Sequence, residues 1–107
     1  MITATLKAQL TESIKARDME RVSVLRLLIA AINNKEIELR TQNVEFKDKH
    51  VIKVIQKQIK QRKDSIEAYK QGERQDLVDK EEAELGFLEE FLGIFPQDEK
   101  PEPARQA

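Results

Sequence analysis

The sequence contains no cysteine and a single histidine, His50. The first absence excludes disulfides, thiolate metal sites and thiol catalysis, and the second argues against a histidine metal site or a serine–histidine nucleophile. The three glycines are far apart, so the chain has no glycine-rich loop that could cradle a phosphate. These absences predict a protein without catalytic residues, metal or cofactor.

Long apolar runs and helix-breaking residues are also scarce. No apolar run approaches the ~18 residues of a membrane-spanning helix, and the first residues lack the basic and apolar segments of a secretory signal. Both absences predict a cytoplasmic protein without a membrane partner. Proline and glycine number three each and aromatic residues make up 5%. Abundant lysine, glutamate, leucine and isoleucine therefore indicate an all-α protein with an aliphatic core.

Hydrophobic periodicity divides the chain into four helical segments. The first spans about residues 3–17 and carries apolar side chains four residues apart. The second spans about residues 19–40, with Asp18 as its expected N-cap. Its apolar residues cover more than half of the helix circumference, which predicts a central helix contacted by at least two others.

The third segment spans about residues 47–71, and Gly72 is expected to follow it with a positive φ. The fourth begins near Arg74 or Asp76, with Asp76 as the expected N-cap, and Gly93 is expected to end it.

Four such helices with short connections predict one antiparallel bundle in which the second and third helices are long. The bundle should occupy residues 1–92. Residues 93–107 should form a short tail that is disordered at its end, because it is polar and rich in proline.

Charge is divided unevenly along the chain. Residues 1–66 hold 14 basic and 8 acidic residues, whereas residues 67–107 hold 5 basic and 12 acidic residues. The basic half could present a surface to an anionic partner. Alternatively, the two halves could neutralise each other inside the bundle.

Five lysines of the third segment share one third of its circumference at 100° per residue. We call them the lysine face: Lys49, Lys53, Lys57, Lys60 and Lys63. They span about 21 Å of helix, which matches several successive phosphates and predicts salt-dependent binding of RNA. A lysine-rich face is also an ordinary way to remain soluble, and the helix offers no aromatic on this side for base stacking.

Two charged residues fall within predicted apolar sectors, Arg62 of the third segment and Glu81 of the fourth. We expect a structural ion pair between Glu81 and either Arg62 or Arg26. The alternative is a buried Glu81 that acts as a general base.

The end of the fourth segment is dense in large apolar residues, and one helix face of a four-helix bundle is too narrow to bury them all. This density predicts an exposed patch that makes a homodimer or binds a protein partner. The expected contacts are Phe91, Ile94 and Phe95. The alternative is that the tail folds back and covers them.

Three stretches, residues 21–37, 60–69 and 72–85, resemble in order and spacing the helices of the YqeY family. This family is related to the tail domain of the B subunit of aspartyl/glutamyl-tRNA amidotransferase, a carbon–nitrogen ligase that uses glutamine. The resemblance covers about residues 1–92. Several residues match recurring family positions: Arg21, Arg26, Asn33, Lys35, Arg62 and Lys63.

The resemblance implies a helical bundle that helps to hold tRNA. A ligase activity is implied only because the related amidotransferase has one. Family members usually continue into a small second helical domain, which the sequence after Leu92 does not resemble. Three hypotheses follow. The first is a non-catalytic tRNA-binding or RNA-binding accessory protein, the second is a protein-interaction or self-associating module, and the third is an amidase-like or ligase subunit.

Overall fold

Four α-helices make up the structure, a computed structural model that describes residues 2–95. They are α1 (Ile2–Lys15), α2 (Met19–Thr41), α3 (Asp48–Gln71) and α4 (Gln75–Ile94). No strand occurs in this range, and the helices pack against one another, so the predicted all-α bundle with a long second and third helix is confirmed. Most of the predicted tail lies outside the described residues.

The bundle is built from two helical hairpins. Helix α1 packs along α2, and α3 packs along α4 in the most extensive helix–helix contact of the fold. Helix α2 also contacts α3 and α4, as the width of its apolar surface predicts. That surface is nevertheless wider than the core, because Leu27 and Ile37 remain 57% and 54% exposed.

The core lies where the two hairpins meet. Residues of all four helices are fully buried there, among them Leu6, Leu25, Leu28, Ile55, Leu88 and Phe91. Burial of each such side chain stabilises the fold by about 1.5–3 kcal/mol. The core is predominantly aliphatic, as the scarcity of aromatic residues predicts.

The patch predicted at the end of α4 is largely covered. Phe91 is fully buried and Phe95 is 7% exposed, and both belong to the core, whereas Ile94 is 42% exposed. The prediction that these three residues form a bare contact surface is therefore corrected. The chain itself buries the two aromatics, because α4 extends to Ile94 and places Phe95 against the core.

Each of the three connections begins with the same helix C-terminal turn. In each turn the residue after the C-cap has a left-handed backbone, and none of the three residues is glycine: Arg17, Asn43 and Glu73, with φ of 57–58°. Two backbone hydrogen bonds of the Schellman type close each turn. The connections are therefore short and fixed in direction.

The turn after α3 differs from the prediction. Gly72 is the C-cap with φ −86°, and Glu73 takes the left-handed position with φ 57°. The Arg74 N–H donates to the Tyr69 carbonyl at 2.9 Å, which fixes the turn one residue later than the glycine suggests.

The ends of α4 also differ from the prediction, whereas the start of α2 does not. The N-cap of α4 is Arg74, and Asp76 lies in its first turn and accepts hydrogen bonds from the Arg74 side chain. Gly93 lies within the helix, which continues to Ile94. At α2, the Asp18 Oδ1 accepts a hydrogen bond from the Arg21 N–H at 3.2 Å, as predicted for an N-cap.

Candidate nucleic-acid interface

All members of the lysine face are exposed on one side of α3. Of these five lysines, only Lys60 has an acidic partner within residues 2–95, with its Nζ 3.1 Å from Asp64 Oδ2. Because that pair is exposed on both sides, it is worth little and is screened by salt. Four adjacent ammonium groups over about four helical turns thus remain without a carboxylate.

Four of the seven acidic residues of α4 are paired with arginines instead, Asp76 among them with the neighbouring Arg74. Arg62 of α3 contacts Glu81 and Glu84, and Arg21 of α2 contacts Glu90. The two halves of the chain therefore do neutralise each other in part. None of these contacts involves a lysine of the lysine face, so they do not neutralise its charge.

The Arg62 cluster lies between α3 and α4. The Arg62 Nη1 donates to Glu81 Oε1 at 2.9 Å and also to Glu84 Oε1. The side chains of Arg62, Glu81 and Glu84 are 15%, 19% and 11% exposed. This arrangement is that of a structural ion pair in which both carboxylates accept from one guanidinium.

Two details of this cluster were not predicted from the sequence. Glu84 is more buried than Glu81, and its position three residues after Glu81 on one helix face is the signal that could have found it. Arg26, the other predicted partner, is exposed and takes part in no ion pair within the described range. That part of the prediction is corrected, because Arg26 lies on the solvent side of α2.

A second arginine joins the beginning of α2 to the end of α4. Arg21 donates two hydrogen bonds to Glu90, at 2.9 and 3.0 Å. Its guanidinium also lies 5.0 Å from the Phe87 ring centroid and 5.5 Å from that of Phe91, within cation–π distance. The hydrogen bond to Glu90 raises the pKa of Arg21. We call this contact the Arg21 clasp.

An open groove of about 560 Å³ runs between α2 and α3, beside the lysine face. Lys53 and Lys57 form part of its wall, with Lys35 and Glu38 on the opposite helix. The Lys35 and Glu38 side chains pair at 3.3 Å, so the net positive charge of the groove comes from Lys53 and Lys57.

Metal-binding clusters and membrane-spanning helices are both absent from the described part of the chain. No group of histidine, aspartate and glutamate side chains there could hold a metal ion. No helix within residues 2–95 is long and apolar enough to cross a bilayer.

Comparison with known families decides which group of proteins shares this helical arrangement. The family of Yqey-like proteins matches residues 3–102, nearly the whole chain. The chain belongs to the YqeY family. The resemblance of its helices to that family is thereby confirmed.

Relatives of this YqeY-family chain occur in yeasts. It is 37% identical over 93 residues to the altered inheritance of mitochondria protein 41, mitochondrial, of Lachancea thermotolerans, covering 87% of this chain and 49% of the relative. The protein of the same name in Kluyveromyces lactis is 36% identical over 94 residues, covering 87% and 49%. An uncharacterized protein of Schizosaccharomyces pombe is 32% identical over 91 residues, covering 85% and 72%.

The predicted cytoplasmic location is contradicted by these YqeY relatives, because two of them are named mitochondrial proteins. The prediction rested on the lack of a secretory signal and of a membrane helix, and neither absence separates the cytoplasm from other aqueous compartments. The chain spans about half the length of the two mitochondrial relatives.

The residues that carry the resemblance to recurring YqeY positions divide into two groups in the structure. Arg21 and Arg62 tie helices together through Glu90 and through Glu81 with Glu84. The others lie at the surface: Arg26, Asn33 and Lys63 are exposed, and Lys35 is half-buried in its pair with Glu38. Stability of the fold thus explains only the first group.

Proposed function

We propose that this YqeY-family chain is a non-catalytic accessory domain that binds RNA, tRNA in particular, through the lysine face. The observation that carries the proposal is that four of the five lysines have no acidic partner among residues 2–95. Since none of the ion pairs made by the acidic residues of α4 within residues 2–95 involves the lysine face, the exposed charge of this face is available to an external anion.

Phosphate binding fits the geometry of this face. The lysines extend over about 21 Å of α3, long enough for several phosphates of one strand. Each phosphate that is neutralised releases condensed counterions, so four unpaired lysines should give a slope of about −3 in log affinity against log salt.

An accessory role also agrees with the resemblance to the tail domain of the tRNA amidotransferase. In that enzyme the resembling domain helps to hold the tRNA while other parts carry out the chemistry. Within residues 2–95, the partly buried Glu81 and the buried Glu84 are both engaged by Arg62, so this cluster offers no free general base. We therefore place the proposed role in binding rather than in amide transfer.

Charge reversal tests the proposal. Lys49→Glu, Lys53→Glu and Lys57→Glu together should abolish tRNA binding in fluorescence anisotropy and leave the helical circular dichroism signal unchanged. The matched control reverses three exposed lysines elsewhere, Lys7, Lys15 and Lys80, and changes the net charge equally. The proposal fails if both variants bind tRNA alike, or if wild-type affinity does not depend on salt.

Self-association is the weaker candidate on the same structure. Its predicted contact relied on three exposed residues, but Phe91 and Phe95 are buried within the chain and only Ile94 is exposed. No other observation favours it, so the lysine face remains the better basis for a function.

A further inference from the structure

The groove between α2 and α3 has the size of a ligand site. Its volume of about 560 Å³ lies within the range of small-molecule pockets, about 300–1,000 Å³. The floor is partly apolar, with half-buried Ala31 and Val54 and buried Leu39. A flat apolar face of a ligand could rest there while its polar edge meets the walls.

Three carboxamide side chains line the groove and offer hydrogen-bond donors and acceptors to a ligand. Asn34 of α2 faces Gln58 and Gln61 of α3 across it, and none of the three forms a side-chain hydrogen bond within the described residues. Each carries two N–H donors and one carbonyl acceptor. Asn and Gln use this pairing to bind the edges of nucleobases.

His50 lines the same groove at the beginning of α3. Its Nδ1 accepts a hydrogen bond from the Lys47 N–H at 2.9 Å. Its ring stacks on that of Phe46, with the two ring centroids 6.2 Å apart and an interplanar angle of 15°. Both contacts fix the orientation of the ring. Because Nδ1 is the acceptor, a neutral His50 carries its proton on Nε2, so this ring can donate one hydrogen bond.

We infer that the α2–α3 groove binds one unpaired nucleotide, with its base edge on Asn34, Gln58 and Gln61 and its phosphate on Lys53 and Lys57. This inference rests on the proposed binding of RNA and names the part of the RNA that is recognised. A paired base inside an A-form helix is stacked, and its major-groove edge is inaccessible. An unpaired loop nucleotide, or a free nucleotide of the same chemistry, can enter the groove.

The test compares RNA forms and groove variants of the full chain. Anisotropy would measure binding of a 12-nucleotide single strand of mixed sequence and of a blunt duplex of the same composition. The double variant Asn34→Ala with Gln58→Ala should weaken binding of the single strand by about tenfold and leave duplex binding unchanged. Gln56→Ala, on an exposed part of α3 outside the groove, is the matched control and should change neither.

A second arm distinguishes the source of the nucleotide. Each of the four nucleoside 5′-monophosphates would be titrated while the side-chain amide NMR signals of Asn34, Gln58 and Gln61 are followed. Shifts with monophosphates support a site for free nucleotides, and shifts with the single strand alone support a site for RNA loops.

The inference is overturned if no form of nucleotide moves these signals, or if the groove variant binds the single strand as the wild type does. If charge reversal on the lysine face still abolishes RNA binding in that case, the proposed function stands without the groove. If no RNA binds at all, the proposed function fails, and the monophosphate titration alone decides on the groove.

Discussion

Removal of the Arg62 side chain should be the most damaging truncation of a charged residue at the α3–α4 interface. In Arg62→Ala, Glu81 and Glu84 lose their shared donor and remain close to each other. Both carboxylates keep less than a fifth of their surface exposed, so water can replace the guanidinium only in part.

The expected loss follows from this partial burial. Breaking a buried ion pair by removing one partner costs about 3–5 kcal/mol, and the residual exposure places this cluster near the lower end. A loss of about 3 kcal/mol lowers the melting temperature of a domain of this size by roughly 12–24 °C. It is also a large fraction of the roughly 5–15 kcal/mol that stabilises an ordinary domain.

Thermal and urea unfolding would measure the effect. Arg26→Ala is the matched control, because Arg26 is an exposed arginine without an ion pair in the described structure, and its removal should change stability by less than about 0.5 kcal/mol. A third variant, Arg62→Met with Glu81→Leu and Glu84→Leu, should recover most of the loss, since it removes all three charges. Equal stability of the two single variants would refute the reasoning.

Two smaller effects should be measurable at the turn before α4. Glu73→Gly should raise the free energy of unfolding by about 1 kcal/mol in urea titrations, because the left-handed φ of 57° strains a residue with a Cβ; a loss of stability would contradict this. Gly72→Ala is its control and should be tolerated, since φ is −86° and a Cβ would meet only ordinary contacts. The hydrogen bonds from Arg74 lower the pKa of Asp76 below its ordinary value of 3.8. This exposed bridge therefore contributes above pH 3.8 and is lost as the pH falls through the lowered pKa. Carboxyl NMR titration should show the pKa of Asp76 rising toward 3.8 in Arg74→Ala, and an unchanged value would refute this cause.

Helix positions follow closely from local sequence patterns. The apolar periodicity predicts all four helices within about two residues of their ends. The cap of α2 is also predictable, because the Asp18 carboxylate accepts a hydrogen bond from the first turn of the helix that directly follows it. The end of α3 is less predictable. The glycine at 72 marks the turn, but the hydrogen bond from Arg74 to Tyr69 decides that Glu73 takes the left-handed position.

Which apolar residues are buried depends on packing that periodicity does not describe. Leu27 belongs to the wide apolar arc of α2 yet lies at the surface, whereas Phe95 follows the end of α4 and enters the core. For the candidate site, the angular positions of the five lysines are enough to place them on one face. The groove and the contact of Glu84 with Arg62 both depend on the distance between two helices. The residue pattern of a single helix does not give that distance.

The Arg21 clasp has a consequence for the order in which the chain folds. The hairpins α1–α2 and α3–α4 form from contacts between neighbouring segments, and such local contacts form quickly. Arg21 and Glu90, in contrast, are 69 residues apart, and they meet only when one hairpin docks on the other. We expect the clasp to be absent from the transition state of folding. In stopped-flow experiments, Arg21→Ala should therefore accelerate unfolding and leave the folding rate almost unchanged.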